Sequence, residues 1–66
     1  MNFSRTLKEL RKDINLSQSQ LANSLNVDQT TIKNWELGIN ETDFTMLCKI
    51  AKFFNVTVGQ LLGVED

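Results

Sequence analysis

SQSQLANSLNVDQTTIKNWELG, residues 17–38, holds two short blocks of apolar residues at helical spacing. The first block follows Ser17 and the second follows Asp28, and both residues are of types preferred at helix N-caps. The apolar positions are Leu21, Ala22 and Leu25 in the first block and Ile32 and Trp35 in the second. Isolated helices of about two turns are marginal in water, so the pattern predicts two short helices that are stable only when packed.

The connection between the two blocks is very short, since only Asn26 and Val27 separate them. Ala22 has a small side chain, which allows two helices to approach closely at a steep angle. Asn is, after Gly, among the residues most tolerant of the left-handed backbone conformation that a tight turn requires. Residues 17–38 therefore predict a helix-turn-helix.

Apolar spacing and capping residues predict three further helices around this motif. One precedes it, from about Asn2 to Asp13, and its apolar stripe contains Phe3, Leu7, Leu10 and Ile14. Because no segment has a convincing strand partner, we expect an all-α fold, a compact five-helix bundle in one domain spanning residues 1–66.

The other two helices follow the motif. The fourth is predicted to be capped by Thr42, with Asp43 near its positive end. Its expected apolar side contains Phe44, Leu47, Cys48, Ile50, Ala51 and Phe54. A short fifth helix follows Thr57, with Leu61 and Leu62 turned inward.

The composition leaves few candidates for catalysis or metal binding. One cysteine and no histidine among 66 residues provide neither an internal disulfide nor metal ligands. There is no Tyr, no convincing carboxylate pair and no Gly-rich phosphate loop, so we predict no enzyme activity, no metal and no cofactor. Cys48 is expected on the core side of its helix, as a small hydrophobe rather than a nucleophile.

The distribution of charge and hydropathy limits the location and partners of the protein. The N-terminus has no continuous apolar run and no stretch reaches membrane-span length, so we expect a cytoplasmic protein without a membrane partner. The net charge is -1 and the pI is near 5.2, unlike the basic balance usual in nucleic-acid binders. The first dozen residues nevertheless contain Arg5, Lys8, Arg11 and Lys12.

The chain resembles the bacterial and phage repressor helix-turn-helix family, which includes XRE-type, Cro-like and cI-like regulators. The resemblance rests on LKELR in the first helix, LSQSQLANSLNVDQTTIKNWELG in the motif and LCKIAKFFNVTVGQLL in the last two helices. It implies a lambda-repressor-like DNA-binding fold with the helix over residues 28–37 in the major groove. It also implies a sequence-specific transcription regulator, a repressor, that occupies a double-stranded operator as a homodimer.

The helical period predicts which side of the second motif helix faces outward. Ile32, Trp35 and Glu36 turn inward. The outward positions are Gln29 at the helix start, Thr30, Lys33, Asn34 and Leu37. These amide, hydroxyl and amine groups would suit any solvated helix face, but within the motif they favour contact with base edges.

Individual contacts follow from the chemistry of these side chains. Gln29 can pair with adenine, Thr30 can meet thymine, and Lys33 can donate to guanine. The resemblance implies that Gln18 contacts a phosphate or braces Gln29, and that Asn34 faces a base or the DNA backbone. The predicted DNA-binding residues are Gln18, Asp28, Gln29, Thr30, Lys33 and Asn34.

Two charged residues lie on apolar stripes. Arg11 shares the stripe of the first helix, and Glu36 shares that of the second motif helix. A charge in such a place needs a partner, so we expect the two to form a structural ion pair, as the resemblance also implies. Alternatively, both side chains extend to water.

The chain departs from the family pattern at the turn residue, usually Gly and here Asn26, and in two further features. After Gly38 many family members carry basic residues, whereas this chain has INETDF, with Glu41 and Asp43, so phosphate affinity should be reduced. Met46 and Phe53, seven residues apart, are expected on the side of the fourth helix away from the core. With Val58 they form a predicted partner patch, the simplest partner being a second copy; the alternative is scattered surface residues.

This patch and the acidic loop also fit a second function. The chain is alternatively a protein-interaction module on the same fold, such as an antirepressor or antitoxin-like partner, with weak or no DNA binding. A regulatory protein would then be its partner.

Overall fold

The computed structural model describes residues 3–64, and these contain five helices and no strand. In chain order the helices are α1 (Phe3–Asp13), α2 (Gln18–Leu25), α3 (Gln29–Leu37), α4 (Phe44–Phe54) and α5 (Val58–Leu61). The predicted all-α fold is thereby confirmed. Asn2, the expected start of the first helix, lies outside the described residues. None of the helices within residues 3–64 has the length and apolar character needed to cross a membrane.

Side-chain caps define the starts of both motif helices. The Ser17 hydroxyl accepts the backbone N–H of Gln20 at 3.0 Å, and the Gln20 side chain accepts that of Ser17 at 2.8 Å, which forms a capping box. A carboxylate oxygen of Asp28 accepts the N–H of Thr30 at 2.9 Å and caps α3.

The cap of α4 differs from the prediction by one residue. Asp43 rather than Thr42 is the N-cap, and its carboxylate accepts the N–H of Met46 at 2.8 Å. Thr and Asp are both good N-caps, and an ionised oxygen makes the stronger bond to an exposed N–H.

The turn within the motif depends on a left-handed asparagine. Asn26 has φ 58° and ψ 45°, and the following residue, Val27, donates its N–H to the carbonyl of Ala22 at 2.9 Å. Asn55 repeats this geometry between α4 and α5, where Val56 donates to Ala51, also at 2.9 Å. Both turns therefore redirect the chain within three residues, as the sequence predicted for the first of them.

The core lies where α1 packs against α3 and α5, α2 against α3, and α4 against α5. Its fully buried side chains are Leu7, Leu21, Leu25, Ile32, Ile50 and Leu61. Trp35 is also buried, and Phe3 of α1 meets it edge to face with ring centroids 6.1 Å apart. The expectation that Trp35 is a core residue is confirmed. Its contact with Phe3 holds the inner side of α3 against α1.

Three residues expected in the core are exposed. Ile14 lies beyond the end of α1, in the turn before α2. Phe44, the first residue of α4, has 71% of its surface accessible. Cys48 is also exposed, because successive helical residues are about 100° apart and the buried stripe of α4 runs through Leu47 and Ala51.

Met46 departs from its prediction in the opposite direction. It was expected to point away from the core, but it is half-buried and packs against it. Met46 precedes the fully buried Ile50 by four residues, about one helical turn. Both side chains therefore lie on the same side of α4, and Met46 covers the edge of the core.

Candidate nucleic-acid interface

One side of α3 is polar and open to solvent. Gln29, Thr30 and Lys33 are exposed, Asn34 is half-buried, and Leu37 has 62% of its surface accessible at the C-terminal end of the helix. Ile32 and Trp35 lie in the core on the opposite side, so α3 cannot rotate about its axis without exposing them. The helix is therefore a rigid support for its exposed polar side chains.

The Arg11 guanidinium and the Glu36 carboxylate form a two-bond ion pair between α1 and α3. Nε of Arg11 donates to Oε2 of Glu36 at 2.7 Å, and Nη2 donates to Oε1 at 3.0 Å. The remaining Arg11 nitrogen, Nη1, donates to the carbonyl of Leu16 at 2.8 Å. These three hydrogen bonds join α1 to α3 and to the turn that precedes α2.

Gln18 completes this network from the first turn of α2. Its side-chain amide donates to Oε1 of Glu36 at 3.1 Å. The expected brace between Gln18 and Gln29 is therefore not the contact found, although both side chains line the same hollow. Gln18 instead connects α2 with α3 through the carboxylate that also holds Arg11.

The environment of Glu36 favours its charged form. Burial by itself raises the pKa of this carboxyl, but the hydrogen bonds from Arg11 and Gln18 and the positive charges of Arg11 and Lys8 outweigh it. The net result is a pKa below the usual value. The hydrogen bond to Glu36 likewise raises the pKa of Arg11, so both partners are charged at neutral pH.

This lowered pKa predicts that acid weakens the fold. A carboxyl with a lower pKa in the folded than in the unfolded chain contributes stability that is fully present above its unfolded pKa and lost as the pH falls through its folded pKa. The midpoint of urea unfolding, measured from neutral pH down through the carboxyl range, should fall with pH. The Glu36→Gln variant should lose part of this dependence, whereas Glu41→Gln, a change at an exposed loop carboxylate, should retain it. Equal pH dependence in wild type and Glu36→Gln would contradict the assignment.

A shallow hollow of about 430 Å³ lies where α1, α2 and α3 meet. It brings together Gln18, Gln29 and Lys33 from the predicted site, whereas Asp28, Thr30 and Asn34 lie outside its lining. The lining residues are Lys8, Arg11, Lys12, Gln18, Gln29, Lys33, Glu36 and Leu37.

Sequence reasoning did not include Lys8 and Lys12 among the site residues. The sequence did contain a pattern that could have indicated them, because the two lysines are four residues apart on one helix, close to Arg11. Only the packing of α1 against α3 shows that their side of α1 adjoins Gln29 and Lys33.

The three residues of the predicted partner patch have different surroundings. Met46 lines a hollow with Thr31 and Trp35, whereas Val58 lines another with Cys48 and Lys52. Phe53 is 41% exposed and contacts Phe54 edge to face, with centroids 5.0 Å apart. Among the described residues, the large apolar side chains with more than half of their surface accessible are Ile14, Leu37, Ile39, Phe44 and Val64.

No group of three or more His, Cys, Asp or Glu side chains within residues 3–64 is arranged to hold a metal ion.

Comparisons with known proteins agree with the observed fold. A family model described as helix-turn-helix matches residues 7–61. The HTH-type transcriptional activator BcrR of Enterococcus faecalis is 42% identical over 66 residues, which is 100% of this chain and 32% of BcrR. The HTH-type transcriptional regulator ImmR of Bacillus subtilis (strain 168) is 29% identical over 66 residues, covering 100% of this chain and 52% of ImmR.

A phage protein is also similar to this chain. The cryptic phage CTXphi transcriptional repressor RstR of Vibrio cholerae is 30% identical over 64 residues, covering 97% of this chain and 58% of RstR. The chain therefore spans between about a third and three fifths of the length of these relatives. BcrR is named as an activator and RstR as a repressor, so the relatives do not agree on the direction of regulation.

Proposed function

This chain belongs to the helix-turn-helix family, whose members above are named as transcriptional regulators, and on that premise we propose that it binds double-stranded DNA sequence-specifically with α3 in the major groove. The observation that carries the proposal is the exposed polar side of α3, held rigidly by Trp35 behind it and by the Arg11–Glu36 pair beside it. A rigid helix presents its side chains to base edges without a large ordering cost on binding.

In this arrangement Gln29, Thr30 and Lys33 read the bases. All three are exposed and lie in the first two turns of α3, the part of a recognition helix that meets base edges. Asn34 faces a base or the backbone from the edge of the helix. Asp28 acts through its cap on Thr30, and Gln18 through its bond to Glu36, beside the phosphate expected at the start of α2.

We propose that the regulation is repression, the activity in the name of the phage relative RstR. A protein that occupies an operator overlapping a promoter blocks polymerase by exclusion alone and needs no further contact. Binding as a homodimer would place two copies of α3 on half-sites about one helical turn of DNA apart. Phe53 is the exposed member of the predicted partner patch and remains the candidate for contact between the copies.

The proposal is tested by selecting bound duplexes from a random pool and sequencing them. We expect enrichment of an inverted repeat with half-sites about 10 base pairs apart. Gln29→Ala and Lys33→Ala should each weaken binding to the selected site by about 1 to 3 kcal/mol, roughly 5- to 150-fold, and relax the preference at one base position.

Lys52→Ala is the matched control for Lys33→Ala, because Lys52 is an exposed lysine on α4, outside the hollow beside α3. It should leave the enriched sequence unchanged. If no sequence is enriched, or if Gln29→Ala and Lys33→Ala bind the selected site as tightly as wild type, α3 does not read DNA.

The second candidate, a protein-interaction module, is favoured by the exposure of Ile39 and Phe44 near the acidic loop. Association through such apolar side chains should barely change, or tighten, with added salt, whereas DNA binding should weaken. Failure of the duplex selection together with salt-insensitive association would support this module instead.

A further inference from the structure

Positive charge in this acidic chain is concentrated in one place. Four of its seven Lys and Arg residues line the hollow between α1, α2 and α3. The four are Lys8, Arg11, Lys12 and Lys33. Among residues 3–64, Glu36 has the one carboxylate that lines this hollow.

The net charge of the hollow follows from its internal pairing. Arg11 and Glu36 neutralise each other through two hydrogen bonds, and theirs is the one ion pair found between residues 3 and 64. Lys8, Lys12 and Lys33 are exposed and form no ion pair within residues 3–64, although the charge of Lys8 also acts on Glu36. The described residues that line the hollow therefore carry four positive charges and one negative charge, a net charge of +3.

The position of the lysines suits a DNA strand. Lys8 and Lys12 lie one turn apart on the side of α1 that adjoins Gln29 and Lys33 of α3. With α3 in the major groove, a sugar-phosphate strand bordering that groove would pass in front of the hollow. Ammonium groups on flexible stems can follow such a strand, because they contact phosphates as point charges without fixed geometry.

We propose that Lys8 and Lys12 of α1, which adjoin the base-reading Lys33 of α3, form a binding site for DNA backbone phosphates, which we call the α1 phosphate clamp. The inference rests on the proposed DNA binding and adds residues outside the helix-turn-helix to the interface. It also explains how a chain with net charge -1 and an acidic loop after α3 approaches a polyanion. The attraction is local, and it replaces the basic residues that this loop lacks.

The experiment is a salt titration of DNA binding by the complete chain. Affinities of wild type, Lys8→Gln, Lys12→Gln and the double variant are measured between about 50 and 200 mM salt, for the selected duplex and for an unrelated one. Each single change should make the slope of log affinity against log salt shallower by about 0.9, and the double change by about 1.8. Both duplexes should be affected equally, because phosphates carry no base sequence.

Two controls separate charge from folding. Lys52→Gln removes an exposed lysine from α4, outside the hollow, and should leave the slope unchanged. Lys8→Arg and Lys12→Arg keep the charge and should keep the wild-type slope. Thermal unfolding identifies any variant that has lost its fold. If the double variant is unfolded, the difference in slope between the folded single Gln variants and the Arg variants tests the clamp.

The outcomes distinguish this inference from the proposed function. If wild type binds the selected duplex and the double Gln variant has an unchanged slope, the clamp is wrong while DNA binding stands. If wild type binds no duplex at any salt concentration, both are overturned. Loss of affinity for the selected duplex alone would show that these lysines read sequence, and would also overturn the clamp.

Discussion

Glu36→Ala should lower the free energy of unfolding by about 3 to 5 kcal/mol, the cost of leaving one partner of a buried ion pair uncompensated. The Glu36 side chain is only 4% accessible and that of Arg11 10%, so loss of the carboxylate leaves the guanidinium with little contact with water to compensate its charge. A domain this small has a total stability of similar size. Urea and thermal unfolding should therefore show a protein that is largely unfolded at 37 °C.

The double variant Arg11→Met/Glu36→Leu tests the reason for this loss. It removes both charges and leaves apolar side chains of similar length, so it should be more stable than Glu36→Ala. Glu41→Ala, at an exposed carboxylate, is the control for a simple change of net charge and should stay within about 0.5 kcal/mol of wild type. A double variant less stable than Glu36→Ala would mean that the charges themselves stabilise the fold.

Leu21→Ala should be about as damaging, with a loss of about 2 to 5 kcal/mol in the free energy of unfolding. Leu21 is 0% accessible and lies in α2, which packs against α3, so its truncation leaves a cavity at the centre of the motif. DNA binding should fall in parallel, because the position of α3 depends on that packing. Circular dichroism and duplex binding, measured on the same preparation, would show both effects.

Leu37→Ala is the matched control for stability, since it is the same change in a neighbouring helix at a side chain 62% accessible to solvent. Its free energy of unfolding should stay within about 0.5 kcal/mol of wild type. If the two variants were equally stable, the packing of α2 on α3 would not determine stability.

The sequence predicted the parts of this fold that short-range chemistry controls. Ser17 and Asp28 cap their helices because their oxygens lie within reach of free N–H groups two or three residues away. The left-handed conformation of Asn26 was predictable because few other residue types tolerate it. The pairing of Arg11 with Glu36 was also inferable, since each was the only charge on its apolar stripe.

The errors concern positions that depend on how helices pack. Cys48 and Met46 both lie at the boundary of the buried stripe of α4, where a small rotation of the helix decides exposure. Lys8 and Lys12 were not assigned to the proposed DNA-binding side, because no local pattern relates the orientation of α1 to that of α3. The packing of α1 on α3 supplies that information.

The three-residue connection between α2 and α3 also has a consequence for the rate at which the protein folds. Its two helices are neighbours in the chain and pack extensively, so they can meet after closing only a very short loop. Proteins dominated by such local contacts cross their folding barrier in microseconds to milliseconds. We therefore expect this chain to acquire its structure within that time, with the docking of α1 against α3 and α5 as the step that requires the longest loops to close.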